Sequence, residues 1–368
     1  MPSMLVNSFC SPILSGPGNQ DDHEDIPFMH EDEDLVEDQL IAMLHLERGY
    51  QVAKVSCTAH DQSQHTEWRR KICEWSYRVV DHFRLERDCV SIAMNYFDRY
   101  LSVSGSSQAY DGGCPCPTCQ RSINSRTFQL AAMTSLYMAI KLHAKSSSTN
   151  SRTRKRLKLS SFVDLSRGQF RPADITAMET EILTKLQWKV NPTTATTLVS
   201  FFLRLLPPYS MVPYRFRATY DLVLHVTHEL ARYLAELSVC MPFSHALPSD
   251  IAYSSIVVAM ELLTTEALPI SIRNEFFQTS RQLTGIVPNS PVILRLCEQL
   301  GNAFYPEVLM EEAEDHPISV ARRAGLLNIQ SAVESEQSFH THGDKPAVTT
   351  PHRHSARSVM EVPQCVTP

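Results

Sequence analysis

Between Trp68 and Leu101 the chain reads WRRKICEWSYRVVDHFRLERDCVSIAMNYFDRYL, and no other stretch restricts the possible folds as strongly. Ile72, Trp75, Ser76, Val79, Val80 and Phe83 recur at helical spacing, and so do Val90, Ala93, Met94, Phe97 and Leu101. The pattern predicts two amphipathic helices joined by a short polar turn at Arg84–Arg87. Each helix carries a charge where an apolar residue is expected. Arg69 lies three residues before Ile72, and Asp98 four residues after Met94. A buried lone charge is costly, so either the two meet across the helix contact or both reach out to solvent.

These residues resemble the opening of a cyclin box, in which an M-R-A-I-L-x-x-W helix precedes an N-Y-x-D-R-F-L helix. In that family the Arg and the Asp form a buried ion pair, which implies a pair between Arg69 and Asp98 here. Five further stretches carry the resemblance in the right order. IAMLHLERGY, the tail of a helix predicted over Asp34–Tyr50 with Leu35, Leu40, Ile41, Leu44 and Leu46 as its stripe, is similar to the segment before the box. RTFQLAAMTSLYMAIKLH, at Arg126–His143, is apolar almost all round and rich in small residues, as a helix enclosed by others must be. It resembles the central helix of the box, although the Glu pair that follows the family's Lys is missing after Lys141. M-E-x-x-I-L-x-x-L-x-W, from Met178 to Trp188 in a helix predicted over Arg171–Trp188, is similar to the last helix of the box. LARYLAEL and PSDIAYSS are similar to signatures of a second lobe.

The resemblance covers about residues 34–310. It implies an all-α fold of two tandem five-helix lobes with an N-terminal helix and disordered tails. The remaining helices are predicted over Leu159–Leu165, Pro192–Leu206, Tyr214–Leu237, Pro248–Leu263 (with Ser249 as N-cap), Ile270–Leu283 and Pro291–Tyr305, with a polar linker over 52–65. The expected divisions are an acidic tail at 1–32, a first lobe with its preceding helix at 33–190, a second lobe at 191–312 and a polar tail at 313–368. Inserted loops interrupt the first lobe at 102–125 and 145–158.

Charge and composition narrow the function. A net charge of −6 argues against direct nucleic-acid binding, and no run of 18 apolar residues suggests a membrane span. The start, MPSMLVNSFCSPIL, lacks the charged region of a secretory leader. Cys73, Cys89, Cys240 and Cys297 fall within helical patterns, where a free thiol is a small apolar residue; a reducing compartment, nucleus and cytoplasm, is expected. No phosphate-binding loop, nucleophile elbow or H-E-x-x-H is present, and no cofactor is expected. Cys114, Cys116 and Cys119 are half of a zinc site or a plain inserted loop. The basic run Arg152, Arg154, Lys155, Arg156 and Lys158, within 152–158, reads either as a contact for an import receptor or as a solvated charged loop.

The resemblance implies that the chain does no chemistry and activates a cyclin-dependent protein kinase. Lys141 and Glu179 match the family's Lys and Glu that reach the kinase main chain, with Leu142, Leu183, Trp188 and Val190 as apolar neighbours. Without the resemblance the two charges read as a surface ion pair. The groove by which cyclins recruit R-x-L peptides would involve Trp68, Ile72 and Trp75. Lys71 replaces an apolar wall there and Arg78 replaces the acid, so like charges would repel such a peptide. Thr350-Pro351-His352-Arg353 fits the S/T-P-x-K/R pattern favoured by these kinases, and Thr350 is a candidate phosphosite. Two rivals are a transcriptional-kinase cyclin and a relative of general transcription factor B; the latter's zinc ribbon and basic fold have no counterpart in this acidic N-terminus. A metal-dependent enzyme built on the Cys114–Cys119 loop would lack a base and a closed ligand set.

Overall fold

The computed structural model describes residues 33–52, 59–106, 125–143, 157–241, 243, 246–308 and 317–327. The element order is α1 (Glu33–Glu47) with a following 3-10 turn (Arg48–Tyr50), α2 (Ala59–His82), α3 (Asp88–Ser106), α4 (Ser125–His143), α5 (Leu159–Leu165) and α6 (Pro172–Lys185). There follow α7 (Ala195–Leu203), α8 (Tyr214–Val239), α9 (Pro248–Leu262), α10 (Ile270–Thr284), α11 (Pro291–Val308) and α12 (Pro317–Arg323). The fold is all-α, with two five-helix lobes: α2–α6 and α7–α11. Among the described residues the one β-type pairing is an isolated antiparallel bridge between Leu263 and Leu327.

Each lobe is built round one helix that its neighbours cover on most sides. In the first this is α4, against α2, α3, α5 and α6. Ala131, Ala132, Ser135 and Ala139 are buried on it, and these small side chains let α3 and α6 approach closely. In the second it is α9, against α7, α8 and α11, with Ala252, Ser254, Ser255 and Ala259 buried. Local chemistry sets the ends. Pro172 opens α6, where Asp174 accepts a hydrogen bond from the Arg171 backbone N–H at 2.9 Å. Thr194 caps α7 through the Thr197 N–H, and Gly285, at φ +73°, closes α10 in the left-handed conformation that glycine adopts without a steric cost.

Several expectations are corrected. The apolar line of α1 runs through Val36, Leu40, Met43 and Leu44, while Leu35 and Leu46 face solvent. The helix packs on α7, α9 and α10 of the second lobe, although the sequence order places it beside the first. α2 begins at Ala59, inside the expected linker, because AHDQSQHTE holds no Gly or Pro to stop a helix even though it offers no apolar stripe. Ser249 is not the cap of α9. Pro248 starts the helix, and the Glu47 carboxylate on α1 accepts hydrogen bonds from the Ser249 N–H at 2.9 Å and hydroxyl at 2.6 Å. The expected C-terminal tail is structured at its start: α12 packs on α8, burying Ala321 and Leu326 in the second core. Its few apolar positions, broken by Gly325, are too short a run to show a period.

Candidate functional site

The motif NYFDRYL works as a junction box, with each polar side chain holding a different part of the fold. The Asn95 amide donates to the Tyr50 carbonyl at 3.1 Å. Tyr96 donates its hydroxyl to the Val190 carbonyl. Asp98 receives Arg69 through Nε at 3.0 Å and Nη2 at 2.7 Å. Arg99, buried and stacked over the Tyr50 ring, donates to the Lys189 carbonyl at 2.9 Å. Tyr100 donates to Glu181 at 2.9 Å. Burial alone would lower the pKa of Arg69, but the Asp98 carboxylate outweighs it and holds the guanidinium firmly charged.

Of the candidate contact residues, Lys141 on the last turn of α4 and Glu179 midway along α6 are brought together. Lys141 Nζ donates to Glu179 Oε1 at 2.9 Å and lies 5.6 Å from the centroid of the Tyr137 ring. The hydrogen bond that Lys141 donates to Glu179 is the main cause of its raised pKa. Leu142 is 49% exposed beside it, and Trp188 is 70% exposed. Leu183 and Val190 are half-buried against the first core. His143 Nε2 lies 2.8 Å from the Val190 carbonyl oxygen and 2.8 Å from Tyr96 Oη, so the end of α4 is tied to the segment after α6.

That segment is held in an uncommon shape. Gln187 and Trp188 both have positive φ, +52° and +58°. The Trp188 N–H bonds to the Leu183 carbonyl at 3.0 Å and the Gln187 N–H to that of Thr184 at 3.1 Å, the paired bonds of a Schellman close. The turn directs the indole outward, and the bonds from Arg99, Tyr96 and His143 fix the chain on its far side. Arg99 and His143 were missed in the sequence. The available signal was an arginine next to Asp98 on a helix with few solvent-facing positions.

Around Trp68, Ile72 and Trp75 the surface is basic. Trp68 stacks edge-on against Phe128 at 5.4 Å, and all three residues are only partly buried. Lys71 is exposed, and Arg70 and Arg78 both engage the largely buried Glu74. Glu67, about half exposed, pairs with Arg70 and Lys71, so both nearby carboxylates are engaged by the helix's own cations. Among the described residues no group of three or more His, Cys, Asp or Glu is placed to hold a metal, and no helix is long and apolar enough to cross a membrane. Cys114, Cys116, Cys119 and Thr350 lie outside the described residues, as does most of the basic run.

Residues 39–191 match the family model described as cyclin, N-terminal domain. The G1/S-specific cyclin-D1 of Xenopus laevis is 22% identical over 254 residues, covering 68% of this chain and 73% of its own length. Over residues 39–191 the chain belongs to the cyclin family. Cyclin-D1 of Danio rerio aligns over 80% of this cyclin and 88% of its own length at 22% identity, a span that runs into the second lobe. Cyclin-A3-3 of Arabidopsis thaliana is 23% identical over 55% of this cyclin and 51% of its own length. Among solved structures, a viral cyclin from herpesvirus saimiri is similar over 73% of this chain and 98% of its own, with 16% identity and a TM-score of 0.45. A chain of the CAK complex of Chaetomium thermophilum bound to ATP-gamma-S covers 89% of this chain at 13% identity and a TM-score of 0.42.

Proposed function

We propose that this cyclin is the non-catalytic subunit of a cyclin-dependent Ser/Thr protein kinase and switches that kinase on. The observation that carries the reading is the Lys141–Glu179 pair between α4 and α6, together with exposed Leu142, next to Lys141 in the chain, and exposed Trp188 on the turn after α6. A large aromatic side chain displayed on a hydrogen-bonded turn is a common anchor of protein-binding hot spots. Lys141 Nζ has donors to spare, and Glu179 has a second oxygen, so both can turn to a partner's main chain. Activation then follows as a population shift. A kinase transfers phosphate only with its Lys–Glu pair and activation loop in place, and a partner that binds that arrangement more tightly draws the equilibrium to it. The cyclin-D1 relatives point the reading to cell-cycle control at G1/S. Nucleus and cytoplasm are the compartments it assigns, with the run at 152–158 as the contact for an import receptor.

The test is a pull-down against a panel of purified cyclin-dependent kinases, read by phosphorylation of a Ser/Thr peptide. Trp188→Ala should weaken binding by tenfold or more, on the order of 2 kcal/mol, and Lys141→Ala with Glu179→Ala should abolish it. Helical content by circular dichroism should be unchanged in both. Full activation by a folded triple variant would remove the patch from the mechanism.

A further inference from the structure

Two cysteines 167 positions apart meet at the seam between the lobes. Cys73 sits midway along α2, and Cys240 caps the C-terminus of α8. Their Sγ atoms are 2.7 Å apart, both thiols are free, and both are buried. This is closer than unbonded sulfur atoms ordinarily come, and the surrounding hydrogen bonds explain how they are brought together. One turn before Cys73, Arg69 Nη1 donates to the carbonyls of Val239 at 2.6 Å and Met241 at 3.1 Å, the residues on either side of Cys240. One turn after Cys73, the Tyr77 hydroxyl donates to the Glu236 carbonyl at 3.1 Å, one turn before Cys240. Bonds from α2 to α8 thus bracket the sulfur contact on both sides, and Asp98 anchors the arginine that makes two of them.

We propose that Cys73 and Cys240 are a modification site: a dithiol that a peroxide closes into a disulfide joining the two lobes. In the first step one cysteine, as its thiolate, attacks the O–O bond of hydrogen peroxide. The sulfur is oxidised to a sulfenic acid, and hydroxide leaves to take up a proton. The second sulfur then attacks the sulfenic sulfur, forming the S–S bond and expelling a second water. Two thiols and one peroxide become one disulfide and two waters, so the peroxide is the only co-reactant. The neighbouring sulfur traps the sulfenic acid before a second peroxide can oxidise it further, because it is already in contact.

Access controls the speed. Burial pushes the Cys73 thiol well above its usual range, with only a partial offset from the Arg69 guanidinium, so Cys73 is held as the thiol in the closed seam. Oxidation therefore waits on opening of the seam, and the site answers sustained rather than brief peroxide. Once formed, the bond closes a long loop through most of the first lobe and the first two helices of the second, and it restricts the unfolded chain, which raises stability. None of this rests on the kinase reading.

The experiment uses the reduced full chain, treated with hydrogen peroxide, alkylated under denaturing conditions and mapped by mass spectrometry. A linked peptide pair containing Cys73 and Cys240, a faster band on a non-reducing gel and an unfolding midpoint raised by several degrees are expected, all reversed by dithiothreitol. Cys73→Ala and Cys240→Ala should each abolish the linked pair, and Cys89→Ala should keep it. The dithiothreitol reversal is read on the natural chain and stands even where an alanine variant fails to fold. Recovery of Cys73 and Cys240 as separate alkylated peptides after prolonged peroxide would overturn the proposal, as would a bond from either to a different cysteine.

Discussion

Arg69 spends its planar fork on two tasks: it neutralises Asp98 and it grips the carbonyls on either side of Cys240. A lysine would supply the charge without the geometry to reach all three partners. Asp98→Ala leaves a guanidinium at the lobe seam without its carboxylate, and the variant should lose about 3–5 kcal/mol. Chemical denaturation checks this, and an unchanged midpoint would show that the carbonyl contacts alone suffice for Arg69. Both members of the pair were legible in the sequence, because each is a charge on an apolar face with no local partner. Arg99, His143 and Glu47 were not. Their partners include the carbonyls of Lys189 and Val190 and the amide of Ser249, and backbone groups leave no mark in a string of side chains.

At the level of elements, period and punctuation located most helices, and α5 and the start of α8 fall where the pattern put them. The misses share one cause. α2 extends at its N-terminus through a polar run, and the α12 segment places Ala321 and Leu326 in the second core from a short stretch, so neither run carries enough apolar residues to make a period. The close of α6 is a different case, in which the residue type opposes the shape. Gln187 occupies the left-handed position that glycine fills at most such turns, at φ +52°. Gln187→Gly should relieve that cost and raise stability by about 0.5–1 kcal/mol, with the same dependence on denaturant concentration. A loss of stability would mean that the Gln side chain makes a contact worth more than the strain. Trp188 remains in place in this variant, so partner binding should be retained.

Across the whole molecule the lobes are stitched by charge as well as by the cysteine contact. Arg87 bonds to Glu236 and Asp81, each at 2.7 Å, and Asp88 at the start of α3 accepts from Thr194 at the start of α7. The N-terminal helix adds a strap of another kind. Leu40 is 0% exposed in the core of the second lobe, and Glu47 caps α9. Three residues later Tyr50 lies under Arg99 and accepts from Asn95, both on α3 of the first lobe. A segment placed before the first lobe by the chain order therefore completes the second and then crosses to the first. This relation was hidden in the sequence, because a helix stripe shows that a face is buried without showing against what. Leu40→Ala opens a cavity in the second core and should cost about 2–5 kcal/mol. Hydrogen exchange locates the damage. Amides of α7, α9 and α10, which pack on α1, should lose protection first, with those of α4 still slow. Equal loss in α4 and α9 would instead show that the stitches at Arg87 and Asp88 make the two lobes open as one cooperative unit, with α1 supporting both.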